Sequence, residues 1–255
     1  MTTRVRIART AIGVALIAVA ASLLAPAALV DAALAERSQD AWRLTATSGL
    51  WWRGEGTLVA TGSDARLPLA WRVALPALAR GTLAVTLTTP DGKPLAVVDA
   101  GRERVHVVSA DARIPAALVA SVAARFAPLA GALAAGGVVS LESPGFEWAD
   151  GRGSGSVDAR WQRARIAFAG IGLDFGDIEL ALRPQTVGQD LRGTFANRGG
   201  DLALSGDVVV SDGAVSANVA LAPRVTTPPI VRSALALLGP PDASGIVHIA
   251  WSGHR

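Results

Sequence analysis

Cysteine and tyrosine are absent from this 255-residue chain, and lysine occurs once, at Lys93. Without cysteine there are no disulfides, no thiolate metal sites and no cysteine nucleophile. A domain of about 200 residues buries enough surface to fold without cross-links, so an oxidising compartment stays open to it. Charge is nearly balanced once the N-terminus is set aside. Arg4, Arg6 and Arg9 precede every acidic residue, and without them the 24 basic residues fall to 21, matching the 21 acidic ones. The pI of about 10.7 therefore reflects arginine's high pKa and not a basic patch. No run forms a basic stripe, so nucleic acid is not an expected partner.

What the chain does have begins with an N-terminal apolar run. Residues 1–9 form a basic tip, and residues 10–30 carry no charge. That length is about the 20 residues needed to cross a bilayer. The arginines before it hold that end in the cytoplasm, so a single transmembrane anchor would deliver the rest of the chain across the membrane. A cleaved signal peptide is the competing reading. Ala33-Leu34-Ala35 before Glu36 fits an A-x-A cleavage site, although the apolar run exceeds the usual signal core of about 7–15 residues. On either reading residues 31–41 are a linker and residues 42–255 form an exported domain.

The exported domain reads as strands. Leu83, Val85 and Leu87 alternate with Thr82, Ala84, Thr86 and Thr88; Ile178, Leu180 and Leu182 alternate with Asp177, Glu179, Ala181 and Arg183; Val215, Ala217, Val219 and Leu221 alternate with Ala214, Ser216, Asn218 and Ala220. Period two with one apolar face marks half-buried strands. Pro90-Asp91-Gly92, Asn197 to Gly200 and Asp212-Gly213 punctuate them, at the spacing of an antiparallel meander. Two segments break the pattern. Residues 113–133 place apolar side chains at 114, 118, 122, 126, 129 and 133, one face of a helix, with Pro115 in its first turn. Residues 227–241 predict a second helix, with Thr227 as N-cap and Gly239 as terminator. The expected fold is mainly β: an N-terminal transmembrane helix, then a curved antiparallel meander with two short covering helices. Glycine-spaced strands, a Pro-initiated helix and a glycine-led strand occur twice, an echo that would divide the domain into similar halves, 42–142 and 143–255.

Catalytic, cofactor-binding and metal-binding constellations are missing from this pattern. His106 and His248 each sit between β-branched neighbours as second-face strand residues, and His254 is one residue from the end. None has metal-ligand spacing. Gly151 to Ser156 lacks the Lys-Ser/Thr ending and the strand-to-helix setting of a phosphate loop. No spacing joins Glu142, Glu147 and Asp150 into an acid–base pair, and there is no G-x-S-x-G elbow. No enzyme activity and no cofactor are expected.

The seven tryptophans are more informative, because all lie beyond residue 41. A strand tryptophan usually anchors a core, with its indole N–H bonded at the edge. Trp51 and Trp52, read as neighbours in a strand, face opposite ways, so one ring enters the core and the other lies outside. Trp51, Trp52, Trp71 and Trp161 are the candidate partner or groove surface.

The order of features resembles that of the type II secretion system protein N family. After the membrane segment come Gly49-Leu50-Trp51-Trp52-Arg53-Gly54, then Trp71 to Pro76, read as a strand ending in Leu-Pro. Ile114-Pro115, the run Gly136 to Glu142, Trp161, Leu235 to Gly239 and the closing Gly245 to Gly253 follow. The resemblance implies a non-enzymatic accessory subunit of a Gram-negative type II secretion apparatus. It would be anchored once in the inner membrane, N-terminus in the cytoplasm and C-terminal domain in the periplasm. Other secretion-system subunits would be its partners in exporting folded proteins. The β body also looks like periplasmic AsmA-type proteins, which implies an alternative: a lipid-binding or lipid-transfer module with an apolar β-groove and phospholipid as its ligand.

Overall fold

The computed structural model describes residues 24–101, 103–123, 134–149, 152–168, 171–184, 190–211, 214–225 and 227–254. The alternating segments assemble into one antiparallel sheet of thirteen strands, each paired only with its neighbours in sequence. β1 (Trp42–Leu50), β2 (Arg53–Ala60), β3 (Arg66–Val73), β4 (Leu83–Thr88), β5 (Pro94–Ala100) and β6 (Arg104–Pro115) make the first half. The long strands β7 (Ala134–Ala149), β8 (Arg152–Phe168) and β9 (Ile171–Pro184) form the middle. β10 (Leu191–Arg198), β11 (Leu202–Ser211), β12 (Ala214–Pro223) and β13 (Val247–His254) complete it. The sheet does not close, so β1 and β13 are its edges.

Register carries the apolar face from strand to strand. Val73 lies opposite Val85, and Val85 opposite Val98; further on, Trp161 lies opposite Ile178, and Val219 opposite Ile249. Register shifts bend the sheet, as extra residues in a ladder do. In β1 the shift falls between Thr45 and Ser48, beside Ala46 at φ 52°.

Four helices accompany the sheet among the described residues: α1 (Ala28–Ser38), α2 (Leu75–Leu78), α3 (Ala116–Ala123) and α4 (Pro229–Leu238). Two separate cores form on the apolar face. The first joins Leu44, Leu69, Trp71, Val73, Leu95 and Ala112 with Ala27 of the N-terminal segment, and Val30 and Leu34 of α1 pack against it. Next to it α3 buries Ala116 and Leu118, and its Ser121 hydroxyl accepts the Trp42 indole N–H at 2.8 Å. The second core joins Ala164, Phe175, Leu202, Leu221 and Val247 to Val231 and Leu235 of α4. The two expected covering helices are therefore present as α3 and α4.

Several local readings change. Residues 31–41, read as a linker, are helical as far as Ser38. The tetrad Leu75–Leu78 is a helical turn, so β3 stops at Val73 and not at Pro76. Pro115 ends β6, and the helix begins at Ala116. Thr227 is not the N-cap, which falls at Pro228. Instead its buried hydroxyl accepts the Arg224 N–H at 2.6 Å and donates to the Asp201 carbonyl. Gly239 does end α4. The Asp212-Gly213 turn, the Gly151 end of the glycine loop and residues 124–133 lie outside the described residues, as do residues 10–23 of the candidate anchor. Among the described residues no helix is long and apolar enough to cross a membrane.

The free side of β1 is closed by the chain that precedes it. Pro26 forms an antiparallel bridge with Leu50. Ala27 N–H donates to Gly49 O at 3.1 Å, and Trp51 N–H donates to Ala25 O at 3.1 Å. Farther along, Asp31 Oδ1 accepts the Leu44 N–H at 2.7 Å, and its carboxylate holds Arg43 through bonds of 3.1 and 2.7 Å. The Arg43 guanidinium holds the Asp31 carboxyl below its ordinary pKa; partial burial opposes this and the Leu44 N–H adds to it. A carboxylate with a depressed folded pKa stabilises above its unfolded pKa, and loses that contribution as pH falls through the folded value. Asp31→Ala should cost about 1 kcal/mol at neutral pH in urea unfolding of the full-length protein. The gap between variant and native protein should narrow as pH falls below the usual carboxylate range.

Candidate contact surface

The tryptophan pair occupies a corner, not a strand. Leu50 pairs with Arg53, so Trp51 and Trp52 are the two residues of the β1–β2 turn. Strand alternation does not apply to them, and both rings pack, half-buried, against the first core. The expectation of one ring inside and one outside is corrected on that ground. The corner's left-handed residue is Gly49, at φ 90°. A Cβ there would lie 2.7 Å from Arg53 O and 3.0 Å from the Gly54 Cα.

Trp71 of β3 is the pin of this corner. It is buried, and its Nε1–H donates to the Trp51 carbonyl at 2.9 Å. Val73 N–H donates to the Trp52 carbonyl at 2.7 Å. The Trp71 ring lies over Gly54, where a Cβ would come within 2.6 Å of its Cζ2. Gly54 is therefore needed for ring approach. Trp51, Trp52 and Trp71 thus form one cluster. Trp161 does not join it: it stands on β8 against the second core, with Nε1–H donating to Gly136 O at 2.8 Å.

The opposite face of the same strands is polar. A groove of about 810 Å³ runs over it, lined by Trp52, Arg53, Glu55, Arg72, Thr86 and Thr88 among others. Arg53 and Arg72 are exposed and directly opposed across the ladder. Glu55 is engaged by the Ser48 hydroxyl at 3.0 Å. Over β8 to β10 the outer face carries the ion pairs Arg160–Glu179, Arg183–Asp158 and Arg198–Glu179. They are exposed and contribute little stability each.

The histidines do not converge. His106 sits half-buried on β6; His248 is exposed and its Nε2 lies 2.9 Å from Asp242 Oδ2. Asp242 also accepts the Ser244 and Ile246 N–H groups, so this pair orders the turn before β13. Among the described residues no group of three or more His, Asp or Glu side chains could hold a metal ion. A polar knot escaped sequence reasoning. Asn197 donates to the Phe175 and Leu202 carbonyls at 2.7 Å each and accepts the Leu204 N–H at 2.7 Å, tying β9, β10 and β11 together. Its only signal was an asparagine beside a glycine pair.

The chain thus forms an open single sheet with one apolar face, one polar face and buried aromatic anchors. The chain belongs to a family: residues 40–250 match the model of type II secretion system (T2SS), protein N. Membership carries a role in type II protein secretion, and with it other secretion-system subunits as partners. No curated protein and no solved structure matches the chain.

Gly54→Ala should drive the Trp71 ring off its seat. Near-ultraviolet circular dichroism should lose tryptophan signal, and stability should fall by about 1–3 kcal/mol, as for an overpacked core site. An unchanged spectrum and midpoint would mean that the close approach is not needed.

Proposed function

We propose that this protein is a non-enzymatic accessory subunit of a type II secretion apparatus, anchored in the inner membrane by the uncharged residues that precede Ala25, since residues 25–30 are held in the folded domain. Its periplasmic sheet contacts other subunits through β13. The β13 edge, which has no strand partner beyond β12 among the described residues, carries this reading. β1 is blocked by residues 25–27 and Asp31, whereas among the described residues β13 pairs only with β12. The sequence of β13, Val-His-Ile-Ala-Trp-Ser-Gly-His, contains no lysine, proline or carboxylate to guard it. Such an edge accepts a strand from a partner chain.

A second reading, an AsmA-like lipid-binding or lipid-transfer module, draws on a different observation. Toward the strand ends away from the second core, the apolar face continues through Val107, Phe146, Trp148, Leu182, Val208 and Val210, all half-buried and in neither cluster. Such a strip can take an acyl chain. Native mass spectrometry of the membrane-extracted protein would then find bound phospholipid, and its absence would remove this reading.

Ala250 is exposed on the polar side of β13, opposite Asn218. After mild crosslinking in cells, full-length protein should recover secretion-system subunits, and Ala250→Lys should abolish that recovery while leaving the folded spectrum intact. Recovery of no subunit by the native protein would sink the accessory role. Undiminished recovery by the variant would move the contact away from β13.

A further inference from the structure

The geometry points to the β1–β2 corner as a membrane-interface foot: Leu24, Trp51 and Trp52 enter the headgroup–acyl boundary, and Arg53 and Arg72 bind the phosphates of anionic phospholipid. This rests on the membrane-anchored reading above. Chain continuity is the first support. The uncharged run that begins at Thr10 reaches the described structure at Leu24, which is 70 % exposed. The next residue, Ala25, is fastened to Trp51 by a backbone hydrogen bond of 3.1 Å, and Pro26 is bridged to Leu50. Among the described residues, no free linker separates Leu24 from the sheet. Whatever surface that run enters, the tryptophan corner is within a residue or two of it.

Side-chain chemistry is the second support. Indoles favour the membrane–water boundary, and the half-buried Trp51 and Trp52 rings leave part of their surface outside the first core. Arg53 and Arg72 lie in one groove with Trp52, opposed across the ladder. Like charges directly opposite destabilise a strand pair, and no carboxylate of the described residues pairs with either guanidinium. A phosphate matches the guanidinium fork, and a negatively charged leaflet attracts arginine close to its surface. Glu55, held by Ser48, lines the same groove, so the site selects single phosphates and not a densely anionic polymer.

The foot also bears on the A-x-A sequence. Ala33 to Ala35 lie inside α1, where Leu34 packs against the first core. Cleavage after Ala35 would remove Leu24, Ala25 and Asp31 together, and with them the closure of β1. Protein recovered from its own cells should therefore retain Ala25, and a mature N-terminus at Glu36 would overturn the proposal.

The decisive experiment reconstitutes the full-length protein into vesicles of phosphatidylcholine and phosphatidylglycerol with brominated acyl chains, and reads flotation and tryptophan quenching separately. Bromolipid should quench part of the fluorescence. Trp51→Phe with Trp52→Phe should lose that quenched part, and Trp161→Phe should keep it. Arg53→Gln with Arg72→Gln should lose the additional quenching that phosphatidylglycerol brings. Protein that fails to float overturns both the anchor and the foot. Protein that floats, but whose quenching is the same with and without Trp51 and Trp52, overturns the foot alone. Quenching insensitive to the arginine pair and to phosphatidylglycerol overturns the phosphate site.

Discussion

Strand pairing between sequence neighbours alone is the constraint on which the structure depends. A thirteen-strand meander that does not close has two edges and an apolar face longer than any one helix can cover. Each edge exposes unpaired N–H and C=O groups, which invite other chains. The protein treats its two edges differently. β1 is met by backbone from Ala25 and Ala27 and by the Asp31 carboxylate. Among the described residues β13 has no strand on its outer side.

The apolar face is managed in the same divided way. Its ends are sealed, one by α1 and α3 around Trp71, the other by α4 around Leu202 and Val231. Tight seats at Gly54 and the hydrogen bonds of Asn197 hold the strands at each core in one arrangement. The strip outside both cores is half-buried, and it is where the sheet retains capacity for a further contact. Stability and contact are thus segregated along one sheet.

Much of this was legible from period-two alternation. The faces of Val85 and Leu87, Ile178 and Leu180, and Val219 and Leu221 point as the pattern requires, because strand register transmits one apolar face across neighbours. Pro90 to Gly92 lies in a turn because its residues favour turn geometry, whereas of Asn197 to Gly200 only the two glycines do, Asn197 and Arg198 being the last residues of β10. The tryptophan pair was misread because its turn has no glycine or asparagine at its centre; the positive φ falls one residue before Leu50, at Gly49. α1 was missed because its alanine-rich sequence blends into the apolar run before it, and because its place is set by tertiary contacts of Asp31, Val30 and Leu34. Thr227 looked like a cap, yet its hydroxyl is spent bridging Arg224 to Asp201. Such long-range partners leave no periodic trace.

Amide hydrogen exchange on the full-length, membrane-extracted protein tests most directly the claim that one edge is closed and the other open. The account predicts slow exchange at Leu44 and Trp51, whose N–H groups are taken by residues preceding the sheet, and faster exchange along the outer side of β13. Exchange at Leu44 and Trp51 as fast as at the exposed turn residue Gly62 would contradict it.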